Sequence, residues 1–179
     1  MSTILNKDYP VQYESWLKLK DGRMVFLRPI LPTDKHLIVN LFNKLHLDSI
    51  YHRFLTHLND LPVDLLSHLT HIDYNTNFAL VALIKEDGKD SIIAVARYGY
   101  DSKDCVTDFA ITVRDDWQHN GLGNYLLLKI LAIGKENGIS RFVSIFDPTN
   151  NIVKNILKKI GYKMNYFHKD GATQVEVFV

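Results

Sequence analysis

A glycine-containing segment near the middle of the chain has the composition of an anion-binding turn. The segment Q-H-N-G-L-G (Gln118–Gly123) lies between a predicted strand, Cys105–Arg114, and a predicted buried helix, Leu122–Asn137. The first N–H groups of a helix have no intrahelical partner, and the helix dipole adds partial positive charge there. Glycines allow a ligand to approach the backbone closely. We therefore predict that residues 118–124, called the glycine turn below, bind a phosphate group.

Two other phosphate-binding motifs do not fit this segment. A dinucleotide-binding fingerprint needs a third glycine, but position 126 is Leu. A P-loop needs Gly-Lys-Ser/Thr, but Gly123 is followed by Asn124 and Tyr125. The remaining pattern, Q-x-x-G-x-G, is short, and its structural alternative is a tight turn whose glycines serve packing alone.

A carboxylate in the preceding strand is the second candidate for chemistry. Alternation along the strand places Asp108 on one face with Val106, Ala110 and Thr112, opposite the apolar face that contains Phe109. A carboxylate in a central strand is costly unless it is paired or hydrated. Asp108 is therefore either a functional base that faces a cleft or the partner of a structural ion pair, for which Arg97 on the adjacent strand is the candidate.

Composition restricts the classes of function. The chain has 179 residues, 46% of them hydrophobic and 23% charged, with a formal charge of +1. These values favour one globular domain without a general attraction for nucleic acids or acidic membranes. The single cysteine, Cys105, excludes an intrachain disulfide and is expected to be a small core residue at the start of a strand. No apolar leader or membrane-length run is present, and the eight histidines form no H-E-x-x-H motif, so we expect a cytoplasmic protein without a metal ion.

Hydrophobic periodicity predicts an α/β (α+β) protein with a mixed sheet. We expect residues 1–15 to form an N-terminal arm and residues 16–179 to form one domain. We expect about six to seven of the eight predicted strands to form the central sheet, with helices on both faces and a strand–helix–strand crossover near its middle. The predicted strands are Trp16–Lys20, Met24–Ile30, Phe78–Ile84, Ser91–Tyr100, Cys105–Arg114, Arg141–Phe146, Tyr162–Phe167 and Thr173–Val179. The first predicted helix begins at a Thr33 or Asp34 cap and ends near Leu45. The other predicted helices are Asp48–Phe54, Pro62–His68, Leu122–Asn137 and Asn150–Ile160.

With these elements in place, the chain resembles the GNAT acyltransferase superfamily, whose members bind the pyrophosphate of acyl-coenzyme A on such a turn. The strand ends in Val113, five residues before Gln118, and Asn150 lies eleven residues before the pair Gly161-Tyr162. The resemblance is closer to the acetyltransferase domain of bacterial protein-lysine acetyltransferases and covers about residues 16–167. It is carried by the segments KLKDGRMVFLRPILPTD, SIYHRF, IIAVARY, TDFAITVRDDWQHNGLG and NNIVKNILKKIGY.

The resemblance implies a GNAT fold that uses acetyl-CoA as its co-substrate. Two parallel strands, Cys105–Arg114 and Arg141–Phe146, would splay apart to admit the pantetheine arm. Asn150 would help to hold that arm, and the basic face made by Lys154, Lys158 and Lys159 could meet the 3′-phosphate. The arm would pair with the backbone of Ile111, Thr112 and Val113, and the pyrophosphate would lie on Gln118, His119, Asn120, Gly121, Leu122, Gly123 and Asn124.

The resemblance also suggests how the reaction is catalysed. Related enzymes have a glutamate five residues before the valine that matches Val113, and here that position is Asp108. Aspartate would act as the general base through a bridging water, because its side chain is one methylene shorter. The tyrosine that often protonates the leaving thiolate is replaced by Leu157. The substitutes Tyr98, Tyr125 and Tyr162 are more typical of core or rim residues.

The implied function is transfer of an acyl group, most simply acetyl, to a primary amine. A protein lysine is the leading acceptor, and a small amine such as a polyamine, an amino acid or an aminoglycoside is the alternative within the same class. An acyl-CoA-binding sensor without catalysis is the alternative from another class. Arg53 and Phe54 lie in the helical region that covers the acceptor side in similar domains, where they would shape the pocket or pack the helix.

Overall fold

The computed structural model describes residues 8–179, which form one mixed sheet flanked by helices. Its strands are β1 (Ser15–Lys18), β2 (Met24–Pro29), β3 (Asn77–Glu86), β4 (Lys89–Asp101), β5 (Val106–Val113), β6 (Arg141–Phe146), β7 (Lys163–Lys169) and β8 (Ala172–Phe178). They lie in the order β1-β2-β3-β4-β5-β6-β8-β7. Only β5 and β6 are parallel neighbours. The sheet has eight strands rather than six to seven, because the short β1 and the β7–β8 hairpin both join it.

Helices cover both faces of this sheet, as the sequence predicts. They are α1 (Lys35–Asn43), α2 (Leu47–Phe54), α3 (Val63–Thr70), α4 (Leu122–Glu136) and α5 (Asn151–Leu157). Single 3-10 turns occur at Val11–Tyr13, Pro32–Asp34 and Asp115–Trp117. None of the helices within residues 8–179 is long and apolar enough to cross a membrane.

Helix α4 is the main support of the first core. It is apolar on nearly all sides, and its residues Leu122, Leu126 and Ile130 are fully buried against the sheet. Gly134 permits a close approach, because a methyl group built there would clash with Cζ of Phe142 on β6. This packing fixes the N-terminal end of α4 beside the end of β5, where the glycine turn lies.

The second core lies on the opposite face of the sheet. Leu37, Ile38 and Leu41 of α1 pack there against Val81 of β3 and Ile92 of β4. Helices α2 and α3 follow α1 along the chain and extend this layer towards β5. The two cores confirm the prediction of helices on both faces.

Two local predictions were wrong. Cys105 is exposed and has a φ of +52°, because β5 begins one residue later and Cys105 belongs to the preceding turn. Asp34 does not cap α1 with its side chain, since its buried carboxylate accepts hydrogen bonds from Arg28 and from the N–H of Leu31. Of the predicted arm, residues 1–7 lie outside the described residues, and Tyr9 is buried in the first core.

Candidate active site

Strands β5 and β6 separate beyond a single point of contact. Their parallel register consists of one pair, Asp108 with Val143. Towards the carboxyl ends of the strands, residues 109–113 of β5 form no bridge with residues 144–146 of β6. A gap therefore opens between the two strands, and we call it the strand gap.

The alternation of backbone hydrogen bonds determines which residues of β5 face the strand gap. The N–H of Arg114 donates to the carbonyl of Ile93 on β4, at 2.8 Å. In an antiparallel pair, alternate residues direct their backbone groups to the same neighbour. Ile111 and Val113 therefore direct their backbone groups towards the strand gap, whereas the backbone of Thr112 faces β4.

The glycine turn lies at the open end of the strand gap and carries free donors. Two of its N–H groups are used internally, because that of Gln118 donates to Asp115 O at 3.3 Å and that of Leu122 donates to Asn120 Oδ1 at 3.1 Å. Within residues 8–179, the N–H groups of His119, Asn120, Gly121, Gly123 and Asn124 have no hydrogen-bond acceptor.

Two side chains of the glycine turn carry buried polar atoms, of which the Asn120 amide nitrogen is a further donor and the Asn124 amide oxygen is an acceptor. Asn120 Nδ2 and Asn124 Oδ1 are buried without a hydrogen-bond partner in the part of the chain that the structure describes. His119 has a φ of +62° and Gly121 a φ of +91°, so the turn alternates through left-handed conformations. Successive N–H groups in such conformations form anion-binding concavities. The set of free N–H donors fits a diphosphate.

The two glycines of this turn have different roles. Gly121 needs its conformational freedom, because its φ of +91° is strained for any residue with a side chain. Gly123 has no positive φ, and a methyl group built there would lie 3.2 Å from Ile156 Cδ1 and 3.7 Å from Val113 Cγ2. Gly123 thus allows α4 to pack closely on β5 and α5. This is the packing role that the structural alternative assigns to the glycines of the turn.

The β1–β2 hairpin places Lys20 over the glycine turn and Arg23 beside it, where Arg23 also pairs with Asp21 at 2.7 Å. A methyl group built on Gly121 would lie 3.2 Å from Lys20 Cε, so the stem of Lys20 crosses the turn. The guanidinium of Arg23 stacks on the ring of Trp117, with Cζ at 3.7 Å from the centroid. Sequence reasoning missed both residues. The Asp21-Gly22 pair signalled a hairpin, but no local signal relates it to a turn about 100 residues away.

The side chain of Asp115 connects the glycine turn to helix α2. Its Oδ2 accepts from the N–H of His46 at 2.9 Å, and its Oδ1 accepts from Ser49 Oγ at 2.6 Å. These bonds satisfy the N-terminal end of α2 from outside the helix. Gln118 Nε2 donates to the Val113 carbonyl at 3.0 Å and to Asp115 Oδ1 at 3.4 Å. The turn and α2 are therefore held in one hydrogen-bonded unit.

Asp108 lies at the closed end of the strand gap, and its side chain is exposed to solvent. It occupies the face of β5 opposite Phe109, as predicted. A methyl group built on Gly99 of β4 would lie 3.3 Å from Asp108 Oδ1. The ion pair with Arg97 does not form, since no cation of residues 8–179 lies within 4.0 Å of this carboxylate. Because the Asp108 carboxylate is exposed to water, it is tolerated in a central strand without a cationic partner.

A cleft on the same face as Asp108 contains two arginines. It holds about 500 Å³ of empty space, part of it open to solvent. Arg97 of β4 and Arg53 of α2 line it, and Thr112 of β5 forms part of its floor. The other walls are apolar side chains of α1, α2 and the α2–α3 region, including Leu41, Phe42, Phe54 and Leu69. We call this the arginine cleft.

The remaining predicted residues have structural contacts. Asn150 caps α5, because its Oδ1 accepts from the N–H of Val153 at 3.1 Å. Lys154 donates to the Pro148 carbonyl, while Lys158 and Lys159 are exposed. Leu157 is 1% exposed. Tyr98 is a core residue whose hydroxyl donates to Asn75 O at 2.9 Å and accepts from Asn137 at 2.7 Å.

No cluster that could bind a metal ion is found among residues 8–179. The groups available for chemistry at this candidate site are backbone N–H groups, the ammonium of Lys20, one exposed carboxylate and two cleft arginines. The strand gap runs from the glycine turn to Asp108, and the arginine cleft lies on the Asp108 face of β4 and β5.

The sequence of the chain is similar to those of known acetyltransferases. Residues 44–162 match the sequence model described as the acetyltransferase (GNAT) family. The chain is 28% identical over 166 residues to the acetyltransferase PA5475 of Pseudomonas aeruginosa, a match that covers 92% of this chain and 89% of that protein. It is 26% identical over 146 residues to the acetyltransferase Pat of Mycolicibacterium smegmatis, covering 81% of this chain and 43% of Pat.

The fold is shared with a solved structure over nearly its full length. The GNAT domain of PAT from S. lividans superposes with a TM-score of 0.86 and is 27% identical, covering 96% of this chain and 99% of that domain. The predicted fold class, with its strand–helix–strand crossover, is thereby confirmed.

Proposed function

Because this chain belongs to the acetyltransferase (GNAT) family, we propose that it transfers an acetyl group from acetyl-CoA to a primary amine. One observation carries the proposal: β5 and β6 part beyond Asp108 and Val143, and free N–H donors lie at the open end of the same gap. A site for an extended, diphosphate-bearing thioester is thus joined to an exposed carboxylate. The proposed catalytic unit is the domain of residues 16–179, acting in the cytoplasm.

The donor is held by main-chain groups in this proposal. The free N–H groups of the glycine turn and the ammonium of Lys20 bind the diphosphate, because each is a donor or cation without an anionic partner among the described residues. The N–H and carbonyl of Ile111 and the N–H of Val113 pair with the amides of the pantetheine arm, whereas the Val113 carbonyl already accepts from Gln118 Nε2. Asn150 supports this end of the site indirectly, since its side chain caps α5.

The proposed reaction is direct attack in a ternary complex. The amine nitrogen forms a bond to the thioester carbonyl carbon, and the carbon–sulfur bond breaks to release the coenzyme thiolate. An alkyl amine is mostly protonated at neutral pH, so a base must accept its proton. Asp108 accepts this proton through a water molecule, for which its exposed position leaves room.

The departing thiolate leaves without a dedicated acid in this proposal. Leu157 occupies the position of the usual tyrosine and is buried. Tyr98 is engaged in the core through Asn75 and Asn137. A thiol is acidic enough for its thiolate to depart unassisted and to take a proton from water.

Two kinds of acceptor are consistent with the proposal. The resemblance to protein-lysine acetyltransferases favours the ε-amine of a protein lysine. A small amine is the second candidate, because the arginine cleft offers a partly open space on the same face of β5 as Asp108. An acetyl-CoA-binding sensor without catalysis remains the alternative from another class, and it predicts binding without turnover.

The test is thiol release from acetyl-CoA with a panel of lysine peptides and small amines. Replacing Asp108 by Asn should lower kcat about 10²- to 10⁴-fold, the range for loss of a general base, without changing the affinity for acetyl-CoA. Asp104→Asn is the matched control, since Asp104 is an exposed aspartate of the adjacent turn. Equal kcat in both variants would refute the role of Asp108. Acetyl-CoA binding without turnover on any amine would support the sensor.

A further inference from the structure

The two cleft arginines lack the partners that buried arginines normally have. Arg97 is 8% exposed, and the only hydrogen bond of its guanidinium within residues 8–179 is a long one of 3.5 Å to the Leu69 carbonyl. Arg53 is partly buried, and its guanidinium lies 4.9 Å from the centroid of the Phe54 ring. Neither has a carboxylate within 4.0 Å in the described chain.

Two unpaired guanidiniums in one apolar cleft are costly. Burial lowers the pKa of Arg97, and burial together with the charge of Arg97 lowers the pKa of Arg53 to about 10. Buried charges are ordinarily paired or hydrogen-bonded, because removing a charge from water is expensive. The other arginines of the sheet follow this rule: Arg28 pairs with Asp34, and Arg114 pairs with Glu86.

The charge balance of the cleft indicates that a negatively charged ligand group would neutralise it. Two guanidiniums and the nearby carboxylate of Asp108 leave one positive charge. A protonated amine alone would add a second positive charge. An acceptor that also carries a carboxylate would leave the cleft neutral once its amine is deprotonated. The guanidiniums would also favour the neutral, nucleophilic form of that amine, because like charges disfavour its protonation.

We infer that the acceptor carries a carboxylate, bound by Arg53 and Arg97, within a few bonds of the amine that faces Asp108. This inference rests on the proposed function and names its substrate class. The apolar walls made by Leu41, Phe42 and Leu69 favour an acceptor with an aliphatic or aromatic body. The carboxylate comes either from a free amino acid or from an acidic side chain beside a protein lysine.

Matched acceptor pairs test the inference and separate its two sources. The first pair is L-leucine and L-leucinamide, and the second is a capped lysine peptide with Glu or Gln beside the lysine. We expect kcat/KM to be roughly 10- to 100-fold higher for the carboxylate-bearing member of one pair, the range for charge-assisted hydrogen bonds. Preference in the first pair assigns a free amino acid, and preference in the second assigns an acidic protein site.

Variants show whether the arginines cause the preference. Arg53→Gln should reduce the ratio of kcat/KM values within the matched pair to near unity. Arg97→Lys, which retains the charge in the core, should retain part of the preference. Arg141→Gln is the control, because it removes an arginine from β6 that pairs with Glu176 away from the cleft. A preference that survives in Arg53→Gln would overturn the assignment.

A binding measurement keeps the inference separate from the proposed function. In the presence of coenzyme A, N-acetyl-L-leucine or the acetylated Glu peptide should raise the melting temperature more than its uncharged counterpart. Arg53→Gln should abolish that difference. If amines are acetylated but neither carboxylate improves turnover or binding, the inference fails while the proposed function stands. If no amine is acetylated but the carboxylate ligands bind selectively, the proposed function fails and the anion site stands.

Discussion

Asp108 and Val143 form the single bridge between the parallel strands β5 and β6. The carboxylate therefore marks the closed end of the strand gap, and Val113 lies five residues further on, close to its open end. At the usual rise of a strand, this distance is about 16 Å, which suits an extended linear chain. This relationship places the glycine turn and the Asp108 carboxylate at opposite ends of the strand gap, as the proposed binding of acetyl-CoA requires.

The position of Asp108 should depend on the absence of a side chain at residue 99. A methyl group there would lie 2.8 Å from Asn77 Oδ1 and 3.3 Å from Asp108 Oδ1. Gly99→Ala should therefore displace the carboxylate and lower kcat about tenfold or more, because small misplacements of catalytic groups are costly. Steady-state kinetics would measure this, with acetyl-CoA affinity unchanged. The double variant with Asn77→Ala, which removes the shorter contact, should remain slow. Full recovery in it would exclude the Asp108 contact as the cause.

Gly121 should be required for acetyl-CoA binding rather than for stability alone. An alanine at φ +91° costs about 1–2 kcal/mol of folding free energy, and its methyl would press on Lys20 Cε. We expect Gly121→Ala to weaken acetyl-CoA binding about tenfold, the effect of a shift in the turn that costs about 1.4 kcal/mol of binding. Gly138→Ala is the control, because its φ is +85° and nothing lies within 4 Å. It should lose similar stability and keep its affinity. Equal affinities in both variants would contradict the assignment of the turn.

The charge of Lys20 should strengthen donor binding. Lys20→Met keeps the aliphatic stem over Gly121 and removes the ammonium, so affinity for acetyl-CoA should fall roughly tenfold at low salt. The loss should shrink as salt is added, because screening weakens an exposed charge. Lys18→Met, on the exposed face of β1, should have no effect in the same titrations. Indistinguishable curves for the two variants would remove Lys20 from the site.

Acid stability should depend on the ion pairs of Arg114. Hydrogen bonds from Arg114 hold the pKa of Glu86 and of Asp116 below their usual range. A depressed carboxylate pKa stabilises the fold above the unfolded-state value of about 4, and this contribution is lost as the pH falls further. Glu86→Gln should therefore cost about 1–3 kcal/mol at neutral pH and progressively less below about pH 4.

Urea unfolding at several pH values would measure this dependence. Asp60→Asn, at an exposed position, should unfold like the unmodified chain throughout. Parallel stability curves for Glu86→Gln and the unmodified chain across the acid range would show that the ion pair does not contribute as described.

The elements that position the site could be predicted because they have local signals. Q-x-x-G-x-G at a strand-to-helix junction predicted the glycine turn, and apolar residues on all sides of α4 predicted its burial. Alternation along β5 placed Asp108 and Phe109 on opposite faces, as the structure has them. These signals are short-range consequences of helix and strand geometry.

The contacts between distant elements could not be predicted, since they join residues far apart in the sequence. Lys20 meets Gly121 only because the first hairpin folds over the end of α4. Arg53 and Arg97 share a cleft only because α2 packs over β4 and β5. The exposed position of Cys105 follows from a left-handed turn that its residue type does not favour. Asp115 illustrates the same limit, because it caps a helix that lies 66 or more residues earlier in the chain.

Calorimetric titration with acetyl-CoA and with S-acetylpantetheine, which lacks the diphosphate, measures what the glycine turn contributes to binding. We predict that one acetyl-CoA binds per chain and that acetylpantetheine binds roughly 100-fold more weakly, because charge-assisted bonds to the glycine turn are lost. Equal affinities for the two ligands, or no heat with acetyl-CoA, would contradict this prediction.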